Sequence, residues 1–173
     1  CYRADEMAIV LDMAKEFGYK VSTFHHAVEA YKIGDLLKEN DVCSAVWADW
    51  WGFKMEAYDA IPENAGILQN AGACVIIHSD DENQIQRLNQ EAAKALSDAR
   101  RMGFQISDAD AIRWLTYNPA KAMGIEKMTG ESYARWPRLG SGQPRHAPRV
   151  RCEHRQRHLP SRERGKQAVP TRV

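Results

Sequence analysis

Residues 70–81 read Asn70-Ala71-Gly72-Ala73-Cys74-Val75-Ile76-Ile77-His78-Ser79-Asp80-Asp81. A Gly-containing stop gives way to the apolar run Ala73–Ile77, and the run ends abruptly in histidine, serine and two aspartates. A short run that is apolar on every residue fits a strand covered on both faces, which is how parallel strands are built. In parallel α/β sheets and barrels, ligands and catalytic groups gather where the strands end. The polar cluster after Ile77 is therefore a candidate site.

Working outward, helical and strand patterns alternate. Met7, Val10, Leu11, Ala14 and Phe17 repeat at helical spacing over residues 5–17, with Gly18 as the stop. Residues 19–24 are β-prone and lead into the pair His25-His26. A second helix is expected over 28–39, a strand over 42–47 and a weaker helix from Pro62 to Gln69. A long helix is expected over 84–102, another opened by Ser107 and Asp110, and a short one restarted at Asn118-Pro119. This rhythm predicts βα units around a parallel sheet, either doubly wound or part of a closed barrel. Against a doubly wound nucleotide-binding sheet, no Gly-rich phosphate loop follows any of the strands.

The 173 residues suffice for one ordinary domain. Their charge is unevenly shared. Residues 1–130 hold 13 Lys and Arg against 20 Asp and Glu, whereas residues 131–173 hold 11 against 3. The second part lacks apolar periodicity and is crowded with Arg, Pro, Gly, Gln and His, a composition expected to be disordered. A passive tail or an out-of-frame product is the favoured account; the alternative is a non-enzymatic module whose basic arm binds nucleic acid. Cys1, Cys43, Cys74 and Cys152 contain no CxxC pair and are expected to be reduced thiols. No apolar stretch approaches the length of a membrane span. A cytoplasmic location is expected, with the true N-terminus missing, since the chain starts at Cys1.

The two histidine-bearing strand ends suit a metal. Imidazole nitrogen and carboxylate oxygen together match zinc or a similar divalent ion. Either end can equally be structural, with the histidine packed and the aspartate capping a helix. Trp47, Trp50 and Trp51, with Asp49, follow the strand at 42–47 and either line a substrate pocket or pack the loop on the sheet. His78 either orients substrate or packs. Asp81 is expected to cap the following helix, and His25 to point away from His26 because adjacent strand residues face opposite sides.

Four blocks carry a resemblance. Tyr2-Arg3-Ala4-Asp5-Glu6-Met7, Phe24-His25-His26-Ala27-Val28-Glu29-Ala30-Tyr31-Lys32-Ile33, His78-Ser79-Asp80, and Thr116-Tyr117-Asn118-Pro119-Ala120-Lys121-Ala122-Met123-Gly124-Ile125 together resemble the later segments of the amidohydrolase superfamily, in its imidazolonepropionase-like branch. The resemblance covers residues 1–130. It implies the last βα units of a TIM-type barrel and a metal-dependent hydrolase, with zinc as the expected cofactor. The implied substrate is a small amide or cyclic amide, cleaved at a non-peptide C–N bond. It puts His26 in the place of the metal-ligating histidine after the sixth strand, and Asp80 in that of the ligand and general base after the eighth.

The family's first-strand His-x-His pair and fourth-strand Lys or Glu have no counterpart, and its fifth-strand histidine would fall before Cys1. After Thr129-Gly130, Glu131-Ser132-Tyr133-Ala134-Arg135 replaces the expected Ser-Leu-x-x-Gly-Lys-x-Ala-Asp segment. A fragment of weak or no activity is therefore expected, with the oligomeric state left open.

Overall fold

The computed structural model describes residues 1–130; the expectations for residues 131–173, including the basic tail, lie outside the described residues. Strands β1 (Thr23–His26), β2 (Cys43–Val46) and β3 (Cys74–Ile77) form one parallel sheet in the order β1-β2-β3. Helices α1 (Ala4–Phe17), α2 (Gly34–Glu39), α3 (Asn64–Ala71), α4 (Leu88–Arg101), α5 (Asp108–Arg113) and α6 (Tyr117–Ala122) surround it. The α/β class and the parallel strands are as the alternating pattern predicts. No helix among the described residues is long and apolar enough to cross a membrane.

Register decides which side chains reach the core. Thr23, Cys43 and Cys74 are level, and His26, Val46 and Ile77 are level at the far end. Because strand side chains alternate, Phe24, Val46, Val75 and Ile77 share one face. They join a buried cluster with Met7, Leu11, Leu37, Leu68, Ala92, Leu96 and Trp114. Cys43, Ala45 and Ile76 form a second cluster. Removing a wholly buried leucine such as Leu37 or Leu68 costs about 2–5 kcal/mol, so the main cluster dominates the fold's stability.

Helix ends follow the sequence signals. Gly18 at φ +72 closes α1, its N–H donating to the Ala14 carbonyl, a left-handed stop that glycine enters freely. Ser107 caps α5 as expected. Its hydroxyl accepts the Asp110 N–H at 3.2 Å, and the Ser107 N–H donates to the Asp110 carboxylate at 3.1 Å. Asp81 closes a turn and does not cap the helix: its Oδ1 accepts the N–H groups of Asn83 at 2.7 Å and Gln84 at 2.8 Å, while the next helical turn starts at Ile85 without a side-chain cap.

Three further expectations need correction. The helix over 28–39 is a one-turn 3₁₀ helix, Ala30–Ile33, followed by the short α2, because the chain leaves β1 through left-handed residues and must first turn back. The helix over 84–102 likewise opens with a 3₁₀ turn, Ile85–Arg87. Cys43 and Cys74 are disulfide-bonded, not reduced: as register partners on adjacent strands, their Cα atoms are 4.4 Å apart, within bonding reach.

Both sheet edges are engaged. On β3, the Ile77 N–H donates to the Trp114 carbonyl at 3.3 Å, and Asn118 Nδ2 donates to the Val75 carbonyl at 2.6 Å. On β1, the Cys1 amino group donates to the His25 carbonyl at 3.2 Å, and the Ala27 N–H donates to the Cys1 carbonyl at 2.9 Å. This is the slanted bonding of a parallel pair.

Candidate active site

The site is assembled where the three strands end. His26 closes β1 at φ +71, Ala27 follows at φ +39, and Asp80 sits three residues past β3 at φ +52. Left-handed backbone on a residue with a Cβ costs about 1–3 kcal/mol and persists only where the surroundings enforce it. His26 Nε2 lies 3.1 Å from Asp80 Oδ2, with the imidazole mostly covered and the carboxylate half exposed. Two residues 54 positions apart thus present an imidazole nitrogen and a carboxylate oxygen to one point.

Aromatic rings fix the imidazole. The His26 ring packs against Tyr2 at 4.9 Å between centroids and against Trp47 at 4.8 Å, each within 24° of parallel. Trp47, 7% exposed, continues the stack to Trp50 at 5.5 Å and to His78 at 5.3 Å. Its Nε1 and the Nε2 of His78 are buried without hydrogen-bond partners. Burial pushes the His78 pKa down to about 4; His26 and His25 push the same way, and Asp80 opposes them. His78 is therefore neutral near pH 7.

The rings of His25 and His26 each lie near that of His78, with centroids at 6.0 and 5.8 Å, and His25 is the more exposed of the two. The tryptophans divide. Trp47, Trp50 and Trp51 line a narrow cleft with His26 and Asn64, but Trp51 is largely exposed and leans on Tyr58. Asp49 pairs with Lys94 Nζ at 2.8 Å and ties this loop to α4. A larger cavity, about 350 Å³, opens at the starting ends of β2 and β3 between Lys38, Asp41, Gln69 and Arg113, away from the histidines.

Three contributors went unread in the sequence. Tyr2 supplies a face of the histidine cage. Lys54 holds its ammonium 4.4 Å from the Tyr2 ring and 5.2 Å from that of Phe53; its pKa is raised chiefly by Tyr2. Asn64, buried at the start of α3, donates to the carbonyls of Ala27 and Val28 at 3.0 and 3.1 Å. Local pattern marks Asn64 only as a polar residue near a helix start.

As a metal centre the arrangement is partial. Among the described residues no three His, Cys, Asp or Glu side chains are gathered to hold an ion, whereas a catalytic zinc takes three protein ligands and a water. The pair fits two of those positions. Ligands on bonds of about 2.0–2.1 Å at tetrahedral angles are roughly 3.3 Å apart, close to the observed separation.

No family model matches the sequence. Over 136 residues, 76% of this chain, it is 26% identical to the amidohydrolase tasK of Hapsidospora irregularis, of which it spans 13%. Its fold is similar to the crystal structure of an amidohydrolase from Thermotoga maritima, with a TM-score of 0.62 and 28% identity, covering 76% of this chain and 33% of that one. The chain thus spans a minor part of each. Sequence and fold agree in their support: this chain is similar to amidohydrolases, and the class of function that similarity supports is a hydrolase.

Proposed function

We propose that this chain is part of a metal-dependent amidohydrolase of the imidazolonepropionase-like branch, hydrolysing non-peptide C–N bonds in small amides or cyclic amides. Residues 1–130 are the last βα units of its TIM-type barrel. The parallel-type bonding of Cys1 along the outer edge of β1 supports a parallel sheet that continues beyond that strand. The observation that carries the proposal is the 3.1 Å approach of His26 Nε2 to Asp80 Oδ2 across the strand ends.

His26 and Asp80 would hold a divalent ion, zinc by donor chemistry, together with ligands from outside the described residues. When bound, such an ion polarises the scissile carbonyl and makes water a nucleophile near neutral pH. The Asp80 carboxylate accepts the proton of the attacking water at an oxygen and delivers it to the departing nitrogen. Neutral His78 turns an unpartnered Nε2 to hydrogen bonding without adding charge. Trp47 and Trp50, with the exposed Trp51 at the rim, form the wall that binds the apolar part of the substrate. A chain with only two of the ligands is expected to be weakly active or inactive by itself. A cytoplasmic location stands against the Cys43–Cys74 bond, which a reducing compartment would open.

The test uses the full-length gene product: zinc content, and hydrolysis of cyclic amides and dipeptide-like amides before and after Asp80→Asn. Bound zinc and a collapse of turnover are expected; unchanged turnover in the variant ends the proposal.

A further inference from the structure

Two consecutive left-handed residues with side chains, His26 at φ +71 and Ala27 at φ +39, need something to hold them. Neither is glycine, and no cis peptide occurs among the described residues. The chain here is clamped from two sides. The Cys1 carbonyl accepts the Ala27 N–H at 2.9 Å and the Tyr2 carbonyl accepts the Glu29 N–H at 2.9 Å. On the other side, both acceptors lie inside the protein, since Ala27 and Val28 are at most 2% exposed. Their carbonyls meet one side chain, that of Asn64, 4% exposed, whose Nδ2 carries the two protons they need.

Two carbonyls can be satisfied only by the amide nitrogen, so the orientation of the Asn64 side chain is fixed by chemistry. Its Oδ1 is left buried without a partner. A residue chosen for helix stability alone would not leave a buried acceptor unpaired. The cost is offset only if the two donated bonds are needed where they are.

We infer that Asn64 is a positioning residue: by bridging the Ala27 and Val28 carbonyls it holds the left-handed turn that aims His26 Nε2 at Asp80. This rests on the proposed pairing of His26 with Asp80 as working groups. Asn64 lines the tryptophan cleft, but its hydrogen bonds go to the backbone that carries the imidazole and not to the His26 or Asp80 side chains. A hydrophobic residue of similar size would fill the space, leave the Val28 carbonyl unpaired and leave the Ala27 carbonyl with the Ala30 N–H alone, at 3.1 Å. An aspartate would keep the shape and present oxygen to oxygen.

The experiment is nitrogen NMR on the full 173-residue chain, which requires no metal and no activity. In the parent chain, both Asn64 side-chain protons should exchange slowly and show couplings across the hydrogen bonds to the Ala27 and Val28 carbonyls. The His26 Nε2 resonance should report its contact with Asp80, and Asp80→Asn supplies the position of that resonance with the carboxylate removed. Asn64→Asp and Asn64→Leu should both move the His26 resonance away from its parent position. Leu68→Ala, a destabilising change to a fully buried residue in the same helix, should leave it in place. Should Asn64→Leu fail to fold, Asn64→Asp and the parent-chain exchange measurement still decide. An unmoved His26 resonance in the Asn64 variants, or rapid exchange of the parent Asn64 amide, overturns the inference. If His26 responds to Asn64 but not to Asp80→Asn, the clamp stands and the His26–Asp80 pairing falls.

Discussion

Asp80 combines a left-handed backbone at φ +52 with a carboxylate oxygen 3.1 Å from His26 Nε2 and about half its side chain in solvent. Three substitutions separate these properties. Asp80→Asn keeps the shape and the tolerance for left-handed backbone but removes the charge. Asp80→Gly removes the carboxylate and enters that backbone freely, and Asp80→Ala removes the carboxylate while adding a steric cost of about 1 kcal/mol. The exposed pair itself contributes less than about 1 kcal/mol once solvent screening is allowed for. Stability should therefore spread over only about 1–2 kcal/mol, with Asn and Gly near the parent and Ala lowest. A urea slope of about 1–3 kcal/mol per molar makes that spread a measurable shift of midpoint. Activity should behave differently. A positioned proton-transfer group contributes about 10²–10⁴-fold in rate, or roughly 3–5 kcal/mol of barrier, so all three variants of the full-length product should lose that much whatever their stability. Near-parental turnover in Asp80→Gly, or rates that simply follow the order of stabilities, would refute the assignment of the carboxylate to proton transfer.

Gly66→Ala should cost about 1–3 kcal/mol by overpacking: its Cβ would lie 2.5 Å from Ala99 Cβ and 3.0 Å from Ala99 Cα, so parental stability on denaturation would contradict the close packing of α3 on α4. Ser107→Ala should cost about 1 kcal/mol through the lost cap of α5. The Ser107 hydroxyl is also the main cause holding the Asp110 carboxyl below its ordinary range. With the folded pKa depressed, that contribution is present above the unfolded value and lost as pH falls through the folded one. The gap between parent and variant should therefore narrow below about pH 4, and a pH-independent gap would argue against the bond. Alkylation of the unreduced, denatured chain should label neither Cys43 nor Cys74. Reduction should lower stability by about 3–4 kcal/mol on the chain-entropy estimate for a bridge spanning 31 residues, and equal stability with and without reductant would count against that bridge.

What the sequence displays depends on how local each cause is. The run Ala73–Ile77 is apolar because β3 is covered on both faces, a property written residue by residue, and Ser107 with Asp110 announces a helix start through bonds spanning three positions. His26 and Asp80 were nameable because each terminates a strand pattern and matches a family block. Asn64 was not, because the carbonyls it serves are 36 and 37 positions away and nothing in Pro62-Glu63-Asn64 refers to them. The Cys43–Cys74 bond was hidden for a similar reason: it follows from the register of β2 on β3, which is a property of the pairing and not of either strand. The break in the expected helix over 28–39 follows from the sign of φ at His26 and Ala27, which the identities of those residues do not disclose.

The same sign explains how the two candidate groups meet at all. β2 lies between β1 and β3, so the strands that carry His26 and Asp80 are two strand spacings apart, roughly 9–10 Å. An extended continuation of either strand would carry its side chain onward along the strand axis, not across to the other. A left-handed residue turns the chain sharply at the strand end, and one occurs on each side, at His26 and at Asp80. The imidazole and the carboxylate then close over the end of β2 to 3.1 Å, with Trp47, the residue after that strand, packed against the His26 ring at 4.8 Å. A left-handed residue with a side chain also occurs at the other end of the sheet, Asp41 at φ +53, where it serves ion pairs with Lys20 and Lys121, so strain by itself does not mark a site. What sets His26, Ala27 and Asp80 apart is that their turns bring two polar side chains from strands that are not neighbours to hydrogen-bonding distance.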